Sequence, residues 1–170
     1  SNLNQTHHIL LVEDDHNYAR LIKIFLEESG TINCKTTHCI TLGEGCRQLE
    51  ENEDIAAVLL DLSLPDSHGF ETLSRMLMRF PKLNVIVLTG QSDKQLGLEA
   101  VKAGAQDFLV KGEFDGEQLA KALRYSIERT NILLRLEETQ HLARIGHWEC
   151  SPSEHLFFAS EEVYRIFGLK

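Results

Sequence analysis

Acidic side chains stand at two points where an apolar run of the sequence ends. Glu13-Asp14-Asp15 follows one such run, and Asp61 follows Val58-Leu59-Leu60. Clustered carboxylates repel one another, so they must take up protons or bind a cation. Hard oxygen ligands favour Mg²⁺, which keeps several waters and takes few protein carboxylates. Beside such an ion, Asp61 could attack phosphorus as a nucleophile and form an aspartyl phosphate.

Two further apolar runs end in residues that suit a phosphate group. Thr89 offers a hydroxyl donor and Lys111 a compact positive charge. Taken singly, a turn threonine, a surface lysine and a helix-capping Asp61 would each be ordinary. Because the carboxyl ends of parallel strands meet at one edge of a sheet, the four endings together predict a site for phosphoryl transfer.

Apolar runs and helical patterns alternate over the part of the chain that carries these residues. Five strands are predicted: His8 to Val12, Ile55 to Leu60, Asn84 to Leu88 and Gln106 to Val110 from their apolar runs, and Ile32 to Thr37 because it alternates and is rich in β-branched residues. A helical pattern follows each of them. This alternation predicts an α/β fold, with a parallel sheet, right-handed crossovers and helices on both faces.

Local signals set the expected helix boundaries. Thr41 and Glu44 have the spacing of a capping box, and Ser92 and Asp93 are expected to cap the fourth helix. The third helix is predicted over residues 67–80, before Pro81. The residues expected to face inward from it are Phe70, Leu73, Leu77 and Phe80.

The last helical pattern is too long for a compact domain. It follows Asp115 and continues to about Leu142 without Pro or a Gly after Gly116. Such a helix is ~40 Å long at 1.5 Å per residue. Two parallel seams have a spacing of seven residues: Ile127, Leu134 and His141, and Leu123, Thr130 and Glu137. The pattern favours a linker helix that pairs with a second copy over a lone solvated helix.

The character of the chain changes after Gly146. Residues 147–150 and 156–158 are predicted to be strands, and Ser160 is expected to cap a helix. A segment of about 25 residues cannot bury a core alone. We therefore expect the beginning of a second domain here.

Composition limits the partners and the compartment of the chain. Its 170 residues carry a net charge of -9, which argues against nucleic acid or an acidic membrane surface as a direct partner. No apolar stretch approaches the ~18 residues of a spanning helix, and no signal peptide is apparent. The four cysteines form no C-x-x-C pair. Free thiols are therefore expected, and a cytoplasmic location with them.

Over roughly residues 7–128, the sequence resembles a response regulator receiver domain of bacterial two-component systems. The motifs that carry the resemblance are Leu11-Val12-Glu13-Asp14-Asp15, Leu60-Asp61-Leu62-Ser63-Leu64-Pro65-Asp66-Ser67-His68-Gly69, Val87-Leu88-Thr89-Gly90 and Asp107-Phe108-Leu109-Val110-Lys111. The resemblance implies a flavodoxin-like (βα)5 fold with a doubly wound parallel sheet of order 2-1-3-4-5. An extended C-terminal helix would follow that fold.

The resemblance also implies the chemistry of the site. Asp61 would be the phosphoacceptor, and Glu13 and Asp14 the acid pair. Asp14, Asp61 and the backbone carbonyl of Ser63 would hold Mg²⁺, with Glu13 in the same metal site. Lys111 would pair with the phosphate. A histidine kinase or phosphotransfer protein would supply the phosphoryl group.

Further positions resemble those that switch and tune the family. Thr89 would be the switch hydroxyl and Phe108 the switch aromatic, moving the face of the fourth helix, fifth strand and fifth helix. Ser63 and Gln91 would set the rate of hydrolysis. The sequence departs from the family at Gly112, where a proline is usual after the lysine.

The residues after the long helix resemble the start of a PAS sensor domain. The resemblance rests on Leu142-Ala143-Arg144-Ile145-Gly146-His147-Trp148-Glu149 and Glu161-Glu162-Val163-Tyr164-Arg165-Ile166-Phe167-Gly168-Leu169. The expected organisation is a receiver domain at 7–128, a coiled-coil-like helical linker at 129–143 and the N-terminal fragment of a PAS-like domain at 144–170. The fragment would be an autocatalytic phosphoacceptor rather than an enzyme. Its parent chain is expected to be a hybrid histidine kinase or a cyclic-nucleotide enzyme.

Three other functions fit the sequence less well. A flavin protein of the same fold would need a Gly-, Ser- or Thr-rich phosphate loop where Glu13-Asp14-Asp15 stands. A phosphatase of the haloacid-dehalogenase type would need a second acid at position 63, which is a serine. A receiver that no longer accepts phosphate, and acts as a dimerisation or interaction module, would not need the complete set of acid, threonine and lysine positions.

Overall fold

The chain alternates strands and helices through most of its length in this computed structural model, which describes residues 4–146, 148–150 and 157–159. In chain order the elements are β1 (Thr6–Val12), α1 (His16–Glu28), β2 (Asn33–Cys39), α2 (Leu42–Glu51), β3 (Ile55–Asp61), β4 (Ser63–Leu64), β5 (Ser67–His68), α3 (Phe70–Arg79), β6 (Val85–Thr89), a 3₁₀ turn (Gln91–Asp93), α4 (Lys94–Lys102), β7 (Asp107–Val110), α5 (Gly116–Gly146), β8 (Trp148–Cys150) and β9 (Phe157–Ala159). The chain divides into two structural units between Glu128 and Arg129, within α5.

The first unit is built on a five-stranded sheet of order β2-β1-β3-β6-β7. Every neighbouring pair in this sheet is parallel. Since β6 and β7 are its fourth and fifth strands along the chain, the predicted order 2-1-3-4-5 is confirmed. The flavodoxin-like fold class and the extended C-terminal helix are confirmed with it.

Helices cover both faces of this sheet, which is why its three central strands, β1, β3 and β6, contain continuous apolar runs instead of alternating. On β1, Ile9 and Leu11 belong to the core that contains residues of α1 and α5. Leu10 and Val12 belong to the core that contains residues of α2, α3 and α4. All four side chains are fully buried. The strand ends are thereby fixed in position from both sides.

The segment between β3 and α3 differs from its prediction. Ser63 pairs with His68 and Leu64 with Ser67 in a short antiparallel ladder. Helix α3 consequently begins at Phe70 rather than at Ser67. The inward assignment of Phe70 is wrong, because its ring lies 41% exposed at the start of the helix. Residues Leu73 and Met76 are the large apolar side chains that α3 buries fully.

Helix caps follow the predictions in part. Thr41 Oγ1 accepts a hydrogen bond from the Glu44 amide at the start of α2, as a capping box requires. The Glu44 carboxylate accepts from the amide of Ile40, one residue earlier than that motif expects. Ser92 and Asp93 lie in the 3₁₀ turn, and neither forms a side-chain cap for α4.

A second carboxylate reaches α2 from the segment after β3. Asp66 Oδ1 accepts from the amide of Leu42, and Asp66 Oδ2 from that of Gly43, each at 2.9 Å. Burial alone would raise the pKa of Asp66, but hydrogen bonds from the backbone amides of Gly43, Leu42 and Asp66 itself, together with the charge of Arg75, hold that pKa below its ordinary value. This remote cap ties the loop beyond Asp61 to the first turn of α2.

The second unit contains the remainder of α5 and an antiparallel pair of strands. In that pair Trp148 lies opposite Ala159 and Cys150 opposite Phe157. The helix predicted to start at Ser160 lies outside the described residues.

The cysteines and the lengths of the apolar helical segments agree with the sequence. Cys34, Cys39 and Cys46 are free, and burial raises the pKa of all three, to about 11 for Cys34. Within the described ranges, no helix is long and apolar enough to cross a bilayer.

Replacing Asp66 should weaken the first turn of α2. We expect Asp66→Ala to lower the free energy of unfolding by about 1 kcal/mol near neutral pH, because two amides lose their acceptor. The pKa of Asp66 is lowered on folding, so its contribution is complete above about pH 4 and is lost as the pH falls through the folded value. Urea unfolding should therefore show a difference from wild type that shrinks in acid.

A matched control is Glu99→Ala, which removes an exposed carboxylate from α4. It should change stability little at either pH. Equal losses for the two variants would contradict the capping role of Asp66.

Candidate functional site

Side chains from four strand ends meet in one cavity at the carboxyl edge of the sheet. The cavity has a volume of about 400 Å³. Six of the residues singled out from the sequence line it: Glu13, Asp14, Asp61, Ser63, Thr89 and Lys111. The fold positions them because β1, β3, β6 and β7 are parallel and end together.

An ion triad of one ammonium and two carboxylates forms the floor of this cavity. Lys111 Nζ lies 2.7 Å from Glu13 Oε2 and 3.1 Å from Asp61 Oδ2. The Glu13 side chain is fully buried and that of Asp61 nearly so, whereas that of Lys111 is 24% exposed. The lysine also lies 4.6 Å from the centre of the Tyr18 ring. Its backbone amide donates to the carbonyl of Thr89 at 2.8 Å, which fixes the start of the side chain.

Burial governs the protonation of the triad. It raises the pKa of Glu13 to about 7; the ion pair with Lys111 opposes this shift, and the nearby charge of Asp61 adds to it. Burial alone would lower the pKa of Lys111, but the hydrogen bond to Glu13 and the charge of Asp61 raise it overall. The ammonium therefore stays charged and holds the two carboxylates together.

The acids have the arrangement that a hard cation needs. Oxygen atoms of Glu13, Asp14 and Asp61 all lie within 4.8 Å of one another. Asp14 is exposed, which leaves one side of the group open to water and phosphate oxygens. Ser63 lies beside them and donates its backbone amide to Asp61 Oδ1 at 3.0 Å. This set of oxygen donors, with an open side, fits Mg²⁺.

Thr89 contributes a hydroxyl without an internal partner. The residue is 2% exposed at the end of β6. Among the described residues, none forms a hydrogen bond with Thr89 Oγ1. Buried hydroxyls are normally hydrogen-bonded, so an unsatisfied one on a residue that lines this cavity could serve an oxygen atom of a ligand once the side chain turns toward it.

The remaining predicted positions lie outside the cavity wall. Phe108 is half-buried on β7, and its ring packs on the backbone of Gly97 in α4. Gln91 is exposed in the 3₁₀ turn, with its amide near Gly112. The peptide bond between Lys111 and Gly112 is trans, and Gly112 has a φ of 83°, which a glycine adopts readily.

Other lining residues could not be found from the sequence. His68 reaches the cavity because the short ladder places it opposite Ser63. Asp93 and Leu96 reach it from the beginning of α4. The contact of Tyr18 with Lys111 is likewise tertiary. The two strands of this ladder, Ser63–Leu64 and Ser67–His68, are too short to leave a periodic pattern in the sequence.

The response regulator receiver domain model matches residues 9–124 of the chain. The TorCAD operon transcriptional regulatory protein TorR of Escherichia coli K12 is 33% identical over 106 residues, which cover 62% of this chain and 44% of that protein. The crystal structure of a response regulator receiver domain protein from Clostridium thermocellum superposes with a TM-score of 0.66 at 29% identity, covering 75% of this chain and 98% of that one. The crystal structure titled adenylate cyclase from Rhodopirellula baltica, at 23% identity, shares the fold, with a TM-score of 0.68 over 80% of this chain and 98% of that one.

The chain belongs to the response regulator receiver domain family, the two-component signalling class that its fold and the family match define. It spans less than half the length of the E. coli relative. The resemblance inferred from the four motifs is thus confirmed at the level of the family.

Removing Lys111 should destabilise the domain far more than removing a surface lysine. In Lys111→Ala, two buried carboxylates lose their countercharge, and we expect the free energy of unfolding to fall by about 3 kcal/mol. Lys94→Ala is the matched control, since Lys94 pairs with Glu113 at 2.9 Å and both side chains are exposed. That variant should lose less than about 1 kcal/mol. Chemical denaturation measures both, and similar losses would contradict the structural role of the triad.

Proposed function

We propose that this domain accepts a phosphoryl group on Asp61 and passes the change to an output. One observation carries the proposal: Lys111 Nζ lies between the carboxylates of Glu13 and Asp61, at 2.7 and 3.1 Å, in a cavity that is also lined by Thr89, whose buried hydroxyl has no hydrogen-bond partner among the described residues. A nucleophile, a positive charge and a hydroxyl donor are thus available to a single phosphoryl group.

In the proposed reaction, an Asp61 carboxylate oxygen attacks the phosphorus of a phosphohistidine. A phosphorus–oxygen bond forms and the phosphorus–nitrogen bond breaks, and the electron pair of the broken bond stays on the imidazole nitrogen. Lys111 balances negative charge on the transferring group, and the Thr89 hydroxyl donates to one of its oxygens. The triad holds Asp61 in place for this attack.

The oxygen donors described above would also hold Mg²⁺, from Glu13, Asp14, Asp61 and the backbone carbonyl of Ser63. When bound, the ion neutralises charge on the transferring phosphoryl group. Glu13 and Lys111 anchor the inner side of the site, because both are held by the ion pair at 2.7 Å. Ser63, at the exposed rim, and Gln91 are proposed to set the rate at which water removes the phosphate.

Thr89 and Phe108 are proposed to convert the modification into movement. The phosphate draws the Thr89 hydroxyl toward it, and the Phe108 ring follows into the space that is vacated. This shifts the population between two existing conformations. The surface formed by α4, β7 and α5 changes as a result, and α5 continues from that surface to Gly146.

Phosphate uptake by Asp61→Asn tests the assignment. The amide is a poor nucleophile, so incubation with Mg²⁺ and radiolabelled acetyl phosphate should leave the variant unlabelled and label the wild type. Asp115→Asn is the control, because Asp115 caps α5 at 2.8 Å and asparagine caps equally well. Labelling of Asp61→Asn at the wild-type rate would refute the proposal. A wild-type protein that also stays unlabelled would favour the dimerisation or interaction module.

We propose a histidine kinase or phosphotransfer protein as the donor, and a second copy of the chain as the partner of α5. The exposure of side chains along α5 supports a different pairing face from the one expected from the sequence. Leu123 and Ile127 of the expected seams are buried in the receiver core. Beyond Glu128, Ile132 and Leu136 are 56% and 54% exposed, and Thr139 and Ala143 continue their face at the spacing of a heptad repeat.

Two leucines of α5 distinguish the possible seams. Leu136 lies on the proposed face. Leu134 belongs to the seam expected from the sequence and lies on the opposite side of the helix, since two residues correspond to a rotation of about 200°. Leu136→Glu should shift a dimer to monomer in sedimentation velocity, and Leu134→Glu should leave it dimeric. The reverse result would favour the original seam. A monomeric wild type would exclude pairing through α5.

The remaining organisation is also proposed on sequence grounds: a receiver domain over 7–128, a linker over 129–143 and the start of a PAS-like domain over 144–170. The parent chain would be a cytoplasmic hybrid histidine kinase or cyclic-nucleotide enzyme. Reading the gene beyond Lys170 tests this organisation directly.

A further inference from the structure

The ring of Phe108 occupies the place where a side chain at position 97 would begin. A Cβ atom added to Gly97 would lie 2.3 Å from Phe108 Cδ2, 2.7 Å from Cγ and 2.9 Å from Cε2. Real Cβ atoms essentially never approach other atoms closer than 3.0 Å. Because Cγ sits at the base of the side chain, the ring would have to rotate about its Cα–Cβ bond to make room.

Gly97 is an unfavourable residue for its position. It is buried in α4, in a helix interior where glycine lowers stability relative to alanine. Ala100, one turn further along, is also buried and carries a Cβ atom. The absence of a side chain at position 97 therefore has one structural consequence: it leaves room for the Phe108 ring.

The register of the sheet brings this contact next to Thr89. Phe108 pairs with Val87 in the parallel ladder of β6 and β7. Since side chains two residues apart in a strand share a face, Thr89 lies on the same face as Val87 and hence as Phe108. Helix α4 covers that face through Ala100, which belongs to the same core as Val87.

The same helix also reaches the phosphoryl cavity. Leu96, the residue before Gly97, lines that cavity, and so does Asp93 at the beginning of α4. Helix α4 therefore borders both the phosphoryl cavity and the Phe108 ring.

We propose that Gly97 is a positioning residue of the switch: its bare backbone is the seat of the Phe108 ring in the unphosphorylated protein. The inference rests on the proposed phosphoacceptor function and adds to it the element that holds the resting state. Any side chain at position 97 removes the seat and shifts the population toward the state in which the ring has moved to Thr89.

Gly97→Ala tests the seat, with beryllofluoride and Mg²⁺ as the probe of the phosphorylated state. If the competent state is about 10% populated at rest, loss of the seat tightens beryllofluoride binding by up to about tenfold. In protein labelled with fluorophenylalanine, the Phe108 resonance of unliganded Gly97→Ala should move toward that of the beryllofluoride-bound wild type. Phe108→Ala assigns that resonance among the eight phenylalanines.

Two controls separate the seat from a general effect of alanine in a helix. Gly43→Ala makes the same change in α2, where the nearest atom to a new Cβ lies at an ordinary 3.5 Å, and should bind beryllofluoride as wild type does. In a Phe108→Ala background, Gly97→Ala should have no further effect, because no ring remains to displace. Should Gly97→Ala alone fail to fold, folding of the double variant supports the seat and its failure to fold overturns it.

Unchanged or weaker beryllofluoride binding by Gly97→Ala would overturn the inference, as would tighter binding that persists without Phe108. A wild-type protein that does not bind beryllofluoride would instead overturn the phosphoacceptor proposal. In that case the Phe108 resonances of unliganded wild type and unliganded Gly97→Ala still decide: a shift between them supports the seat, and identical resonances overturn it.

Discussion

One ammonium group holds two buried carboxylates together, and the site depends on that arrangement. Glu13 and Asp61 lie at the ends of neighbouring strands, and Lys111 reaches both from the edge strand β7. Removing one partner from such a group leaves an uncompensated buried charge, which costs far more than breaking an exposed pair. The strands must therefore end in register, and the sheet that aligns them is stabilised by apolar cores on both faces.

The sequence predicts best those elements whose side chains are all buried in apolar surroundings. Strands such as β1 and β3 are buried on both faces, so a continuous apolar run marks them. The segment after Asp61 was predicted less well, because its structure depends on contacts distant in sequence. Asp66 caps α2, 24 residues earlier, and the pairing of Ser63 with His68 delays the start of α3. Neither contact leaves a periodic pattern.

In the site, too, residues marked by a local motif were predicted, and residues placed by contacts distant in sequence were not. Glu13, Asp14, Asp61, Ser63, Thr89 and Lys111 were identified because motif and strand end coincide, and they line one cavity. Tyr18 and His68 lie beside them through tertiary contacts alone. Gly97 has no side chain and belongs to no motif in the sequence. Its role follows only from the packing of the Phe108 ring on its backbone. On α5, Leu123 and Ile127 serve the receiver core, so a heptad count across Glu128 mixes core residues with exposed ones.

Charge balance explains why phosphate on Asp61 would produce movement. At rest, Lys111 faces the carboxylates of Glu13 and Asp61, and its hydrogen bonds to both are made. A phosphoryl group adds negative charge and new acceptor oxygens next to a lysine that is already engaged. The Thr89 hydroxyl is buried and has no hydrogen-bond partner among the described residues, so it can donate without giving up an existing bond. In the proposed switch, its displacement would open space on the sheet face that it shares with Phe108, and the contact of that ring with Gly97 would oppose the movement of the ring.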